Sequence, residues 1–298
     1  RATGYRVVNS EGDKLPGLTV DRYEDDLVVQ LTTAPMAARQ AAVTRQCQAL
    51  VDGTVFVTRP ETAARREGFA AGLDVVGRDP PSQLSFGEHG LRFRVPAPPA
   101  QKTGAYFDQR ENRRRVAEHA ASLGGPLLDL GCYVGGFALH AAARGVSVVG
   151  VDRSEAALAL ARENAERNRI DQATWIEADI FADLVEPALA GPFSVVVFDP
   201  PKVAASKSHV RAARAAMTRA LTTILSRVAP GGLLAVCSCS HHVDGAVLDR
   251  CLVGAAVSRG EDTEWTRLSA HGPGVDHPVA PGHREGHYLQ MLLYRRAV

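Results

Sequence analysis

Beyond about residue 125 the apolar positions come in short, nearly uninterrupted runs. They are PLLDL at 126–130, VSVVGVD at 146–152, ATWIEAD at 173–179, FSVVVFDPP at 193–201 and GGLLAVCS at 231–238. Such valine-rich runs suit strands covered on both faces. The stretches between them have helical spacing, which predicts helices over roughly 109–122, from about 135, over 154–168 and over about 208–228. Strands alternating with helices make a doubly wound, mostly parallel α/β sheet. HYLQMLLYR at 287–295 reads as a last, antiparallel strand.

The first third has a different rhythm. DLVVQLTT and GTVFVTR look like strands flanking a helical stretch around 34–51, and HGLRFRVPA alternates apolar and polar residues like another strand. VPAPPAQKTG at 95–104 holds three prolines and reads as a linker. The expected organisation is a small α/β domain over 1–95 and a sheet domain over 96–298.

Composition narrows the class. A chain of 298 residues with 45% hydrophobic and 22% charged residues is that of a globular protein. No apolar run approaches the roughly 18–20 residues that span a bilayer, and no signal peptide is visible. Five cysteines are no disulfide framework in a chain this long, so a reduced, cytoplasmic setting is expected. A net charge of +1 gives no global signature of a nucleic-acid partner. Any such site is a local basic patch, and Arg110 with Arg113–Arg115 in QRENRRR is one candidate; a solvated helix face is the plainer reading.

Doubly wound sheets bind ligands beyond the carboxyl ends of their strands. Those ends carry Asp129-Leu130-Gly131, Asp152, Asp179, Asp199-Pro200-Pro201 and the CSCSHH run at 237–242. One acid in a turn means little; four in succession point to a site. DLGCYVGGF lacks the G-x-G-x-x-G spacing of a dinucleotide fingerprint, since Tyr133 stands near its middle, and NAD is disfavoured. Gly131 and Gly135 still allow close backbone approach. Asp152 suits the two hydroxyls of a ribose, and Asp179, one strand on, an adenine amine. Acids without a P-loop lysine favour a nucleoside lacking a polyphosphate, and S-adenosylmethionine, whose sulfonium is cationic, fits. Pro200 holds Asp199 extended, and the two prolines remove backbone donors, leaving a stiff lip of acceptors able to grip a flat base. Cys237 and Cys239 have three readings: small buried residues, zinc ligands together with His271, His277, His283 and His287, or a nucleophile for an electron-poor ring carbon. Cys-x-Cys-x-His-His is compressed for one tetrahedral zinc, and no metal is expected.

KTGAYFDQR at 102–110, LLDLGCYVGGF at 127–137, DPPK at 199–202 and CSCSH at 237–241 together resemble the S-adenosylmethionine-dependent ribosomal RNA large-subunit cytosine-5 methyltransferases (the RlmI-like group). EGDKLPGLTVDRY at 11–23 resembles the start of that family's middle domain, and DHPV at 276–279 and HYLQ at 287–290 its tail. Departures fall at Leu130-Gly131-Cys132 and at Val134. The resemblance implies a Rossmann-like class I methyltransferase domain after the small α/β domain. Family members usually carry an N-terminal PUA RNA-binding domain as well, which these residues do not include. It further implies methyl transfer to carbon 5 of a cytosine in RNA, as a step in ribosomal RNA processing, with Cys239 as the covalent nucleophile and Cys237 as the fallback. Asp199 and Lys202 would act on the base or phosphate. The expected cofactor set is Tyr106, Phe107, Arg110, Asp129, Gly131, Tyr133, Gly135, Asp152, Arg153, Asp179, Ile180 and Asp199. No membrane partner is expected, and a homodimer is compatible with the family. The competing reading is a methyltransferase acting on guanine in RNA or on a small molecule, which needs no nucleophile.

Overall fold

The structure is a computed structural model describing residues 2–98, 104–204, 206–261 and 263–298. Part of the linker stretch, with Lys102 and Thr103 of the first motif, lies outside the described residues. The chain forms two compact units: residues 1–110 with 274–286, and residues 111–273 with 287–298. The described part of the proline-rich stretch belongs to the first unit.

In the first unit, β1 (Gly4–Asn9), β2 (Leu18–Tyr23) and β3 (Asp26–Leu31) form an antiparallel meander. Two short helices, α1 (Ala34–Ala38) and α2 (Gln40–Gln48), then carry the chain to β4 (Thr54–Arg59), parallel to β3. The single helix expected over 34–51 is thus broken at Arg39. Next come α3 (Glu61–Glu67) and an edge strand β5 (Gly72–Gly77), then a separate hairpin of β6 (Gln83–Glu88) and β7 (Leu91–Pro96). Alternation decides the core. Leu18, Val20, Leu27, Val29, Leu31, Val55 and Val57 pack with Cys47 on α2, at about 1.5–3 kcal/mol for each large side chain. Elsewhere in this unit Tyr23, Phe86, Phe93 and Phe107 form an aromatic cluster with ring centroids 5.1–5.8 Å apart. Arg6 faces Asp21 across β1 and β2 and grips both its oxygens, at 2.8 and 3.0 Å. Asp21 is fully buried, so this two-point pairing is what makes its charge tolerable there.

The second unit follows α4 (Arg110–Leu123). Its elements are β8 (Leu127–Leu130), α5 (Gly136–Ala142), β9 (Val148–Asp152), α6 (Glu155–Arg167), β10 (Ala173–Glu177), β11 (Phe193–Phe198), α7 (Val210–Leu225), β12 (Val228–Ser238), α8 (Gly245–Arg259), β13 (Trp265–His271) and β14 (Gln290–Arg296). The sheet order is β10-β9-β8-β11-β12-β14-β13. The first five strands run parallel, and β14 pairs antiparallel with both β12 and β13. This is the doubly wound sheet that the strand–helix rhythm predicts, including its antiparallel last strand. Helix starts have local causes: Ser154 caps α6 through Ala157 N–H, and Asp244 caps α8 through Val247 N–H. Order reverses between β8 and β11, which opens a crevice at the carboxyl ends of these two strands.

Candidate active site

Three neighbouring strands end together at the crevice. Phe198, the last residue of β11, pairs with Leu130 of β8 on one side and Val236 of β12 on the other. The following residues, Gly131, Asp199 and the cysteine run, therefore share one edge. Asp199 N–H donates to the Leu130 carbonyl at 2.9 Å. Gly131 has φ +88°, and a Cβ there would come within 2.3 Å of the Asp199 carbonyl oxygen. Only glycine lets this turn lie against the end of β11. Gly135, at φ +87°, starts α5, and a Cβ on it would meet the indole of Trp175 at 2.8 Å. The same ring covers Gly150 of β9. Trp175 thus fills the space that two glycines leave, a role no sequence signal marked.

The four candidate acids stand in different states. Asp129 is fully buried; its Oδ2 accepts the Ala138 N–H of α5 at 3.0 Å, while its Oδ1 has no hydrogen-bond partner among the described residues. Burial pushes its pKa up to about 7, against the pull of the Ala138 N–H; nearby Asp199 and Asp152 add repulsion, and Arg113 draws it down. Asp152 accepts the Tyr133 N–H on Oδ2 and the Ser154 N–H on Oδ1, both at 3.0 Å. It pins the glycine turn while Tyr133 takes a positive φ of 50°, and each oxygen keeps acceptor capacity for a hydroxyl. Asp179, exposed and two residues beyond β10, accepts the Phe181 N–H at 2.9 Å. Beside it Ile180 is buried, with its Cδ1 3.6 Å from the Cβ position of Gly131, whereas Arg153 is exposed.

Asp199 is half-buried, Pro200 buried, and Pro201 and Lys202 exposed. Across the edge, strand alternation separates the two cysteines. Cys237 lies inside β12, paired with Met291 of β14 and fully buried. Cys239, one residue past β12, is half-buried. The buried Ser240 donates its hydroxyl to the Ala204 carbonyl at 2.9 Å, tying the cysteine loop to the segment after DPPK. Among the described residues no three His, Cys, Asp or Glu side chains gather as a metal group. The His241 and His242 rings stand 3.8 Å apart, and His271 Nε2 contacts Ser269 Oγ at 2.8 Å.

The remaining candidates belong to the first unit. Phe107 sits in the aromatic cluster with 1% of its surface exposed, and Tyr106 is half-buried. Arg110 is buried; its guanidinium pairs with Asp276 at 3.1 Å and donates to the Gly4 carbonyl at 3.2 Å. Asp276 and His277 of the DHPV motif lie in this same network. The run at 110–115 is neither an open basic patch nor a wholly solvated face: Arg110 and Arg113 are buried, Arg115 is half-buried, and Arg114 is paired with Glu111 and Glu118. In the second unit, Arg113 lies against the Cβ position of Gly136 at 2.9 Å, where it bears on Asp129. No helix among the described residues is long and apolar enough to cross a membrane.

A buried carboxyl with an unpartnered oxygen, a glycine turn and an acid with capacity for hydroxyls form a donor set suited to a nucleoside bearing a positive charge. Comparison with known proteins agrees. The family model for S-adenosylmethionine-dependent methyltransferases matches residues 12–256. The ribosomal RNA large subunit methyltransferase I of Aeromonas salmonicida is 34% identical over 98% of this chain and 74% of its own length. That of Photobacterium profundum is 34% identical over 97% of this chain and 73% of its own. Solved structures share the fold: a methyltransferase complexed with SAH superposes at a TM-score of 0.82 with 20% identity, covering 99% of this chain and 75% of that one. A SAM-dependent methyltransferase from Agrobacterium tumefaciens gives 0.65 with 14% identity, covering 99% and 90%. The cofactor is accordingly S-adenosylmethionine, and the chain belongs to the family of S-adenosylmethionine-dependent methyltransferases that includes the ribosomal RNA large subunit methyltransferases I.

Proposed function

We propose that this protein methylates carbon 5 of a cytosine in RNA through a covalent adduct on Cys239. The observation that carries the reading is the position of Cys239: half-buried, just beyond β12, in a loop tied by Ser240 to the segment following Asp199. S-adenosylmethionine, held by Asp129, Gly131, Tyr133, Gly135, Asp152, Asp179 and Ile180, supplies an electrophilic methyl group. Carbon 5 of cytosine is a weak nucleophile. Addition of the Cys239 thiolate to carbon 6 makes carbon 5 enamine-like and able to accept the methyl. Carbon 5 then loses its proton to a base, and the thiolate leaves. A free thiol titrates near 8.5, so the surroundings must favour the thiolate. Asp199, held extended by Pro200, offers its carboxylate and carbonyl to the edge of the base, and Lys202 lies exposed beside it for phosphate or base. The target nucleotide must be flipped out or already single-stranded to reach such a crevice. The relatives named as ribosomal RNA large subunit methyltransferases support ribosomal RNA as the substrate.

The test is methyl transfer to RNA lacking the modification, followed by mass analysis of its nucleosides. 5-Methylcytidine is expected. A methylated guanosine, or a methylated small molecule with RNA untouched, would transfer the assignment to an enzyme without a nucleophile.

A further inference from the structure

From Pro200 to Val243 the chain carries no Asp or Glu, only cations. This stretch includes α7, whose neighbour α8 follows the cysteine loop. Both helices start after a strand that ends at the crevice, so their first turns lie at the catalytic edge. They pack side by side: Arg259 donates to the Thr222 carbonyl at 3.2 Å, and the Cys251 thiol to the Arg214 carbonyl at 3.7 Å. Between them runs a surface groove lined by Arg214, Thr218, Asp249, Arg250, Val253 and Gly254. A Cβ on Gly254 would meet the Thr218 methyl at 3.3 Å, so glycine keeps the floor open.

Elsewhere in the unit some arginines are held by acids, as Arg114 is by Glu111 and Glu118 and Arg162 by Glu155. Arg211, Arg214 and Arg250 are exposed and form no ion pair among the described residues. Arg214 and Arg250 are near enough for both to bear on the one thiol of Cys251. Asp249, the acid of the groove, is engaged by Arg267 at 2.6 Å and by the Tyr294 hydroxyl at 3.0 Å. Like charges set together without counter-charges repel one another, and an incoming anion relieves that repulsion. Arg211 and Arg214 are three residues apart and share a helix face, so the cations extend from the first turn of α7 into the groove. Arg214 stands about 6 Å along the helix axis from the start of α7, at 1.5 Å per residue.

We infer that this groove carries backbone phosphates of the RNA strand that leaves the target nucleotide, with Arg214 and Arg250 flanking them and Arg211 leading in from the catalytic edge. The inference rests on RNA being the substrate and adds where its backbone runs.

The experiment measures binding of a fluorescent single-stranded RNA oligonucleotide by anisotropy, with S-adenosylmethionine present, from about 50 to 200 mM salt. Two released phosphate contacts on a single strand change the slope of log K against log salt by about 1.4. Wild-type protein is expected to show the steeper slope, and Arg214→Ala/Arg250→Ala a slope shallower by that amount, with melting temperature and S-adenosylmethionine affinity unchanged. Arg214→Lys/Arg250→Lys, which keeps the charge, should retain the slope. Arg162→Ala, which removes a cation on α6, should leave it unaltered. An unchanged slope in the double alanine variant overturns the groove, as does loss of binding in the lysine variant. A wild-type dimer that becomes monomeric in the double variant would give the groove to a second copy of the chain and likewise overturn it. Because binding is read without turnover, RNA that binds with the expected slopes yet gains no 5-methylcytidine overturns the chemistry and leaves the groove standing.

Discussion

The α-carbon of Gly131 faces the carbonyl oxygen of Asp199 so closely that a Cβ would stand 2.3 Å from it. This one approach joins the turn after β8 to the turn after β11, the two sides of the crevice. Gly131→Ala therefore meets a steric clash and a left-handed backbone together, a cost of about 1–3 kcal/mol for the conformation alone. The turn must move, and Tyr133 and Asp152 with it. Titration calorimetry should find S-adenosylmethionine binding weakened at least about tenfold; binding at wild-type strength would show the approach to be dispensable.

The two cysteines should separate cleanly. Cys239→Ala is expected to abolish methylation while S-adenosylmethionine binds with nearly normal affinity. Cys237→Ala empties space in a fully buried position of β12 and should destabilise the fold by about 1 kcal/mol or more, read as a lower melting temperature, with methylation retained. Loss of activity in the second variant with activity kept in the first would exchange their roles.

Asp129 makes stability and cofactor binding depend on pH. Its carboxyl rises from an ordinary 3.8 to about 7 in the fold, so the folded chain holds this proton more tightly than the unfolded one. The contribution is complete below about pH 4 and is lost as pH climbs to 7. Between pH 5 and 7 the ligand-free wild type should lose stability relative to Asp129→Asn, as read by thermal melts across that range. A cationic ligand favours the ionised form, so S-adenosylmethionine should bind wild-type protein more tightly as pH rises toward 7. Parallel melting curves for the two proteins would remove Asp129 from both effects.

In the first unit Asp276 is mostly buried, and burial alone would raise its pKa. Its hydrogen bond and charge contact with His277, the Arg110 charge and the Arg6 N–H together hold it below the usual carboxylate range. Its stabilising share is present at neutral pH and is lost as pH falls through that lowered value. Asp276→Ala should cost about 3 kcal/mol at pH 7, the scale for breaking a buried ion pair, and less in acid. Urea denaturation at pH 7 and at about pH 2 measures the difference; equal losses at both would assign the effect to packing instead of charge.

Much of this was legible in the sequence, for reasons that differ residue by residue. The parallel sheet announces itself because strands buried on both faces must be apolar without alternation, as FSVVVF is. The glycine turn and the terminal acids stand at strand ends because that is where a doubly wound sheet leaves backbone groups open. Less visible were α8, whose buried Val247, Leu248, Cys251 and Leu252 follow directly on the cysteine loop, and β5 and β13, whose edge positions leave them half polar. QRENRRR misled for a related reason: a charge run looks solvated until the fold shows Arg113 turned inward toward Asp129.

The order of residues alone determined the fold class and which acids stand at the carboxyl ends of the strands, since periodicity and strand-end composition are local properties of the chain. Tertiary structure alone decided which thiol is buried and which only half-buried, and, among the described residues, which acid keeps an unpartnered oxygen and which arginines form no ion pair. Each of these depends on what neighbouring strands and helices bring up against a side chain, and burial and electrostatic environment belong to the assembled fold, not to any one segment.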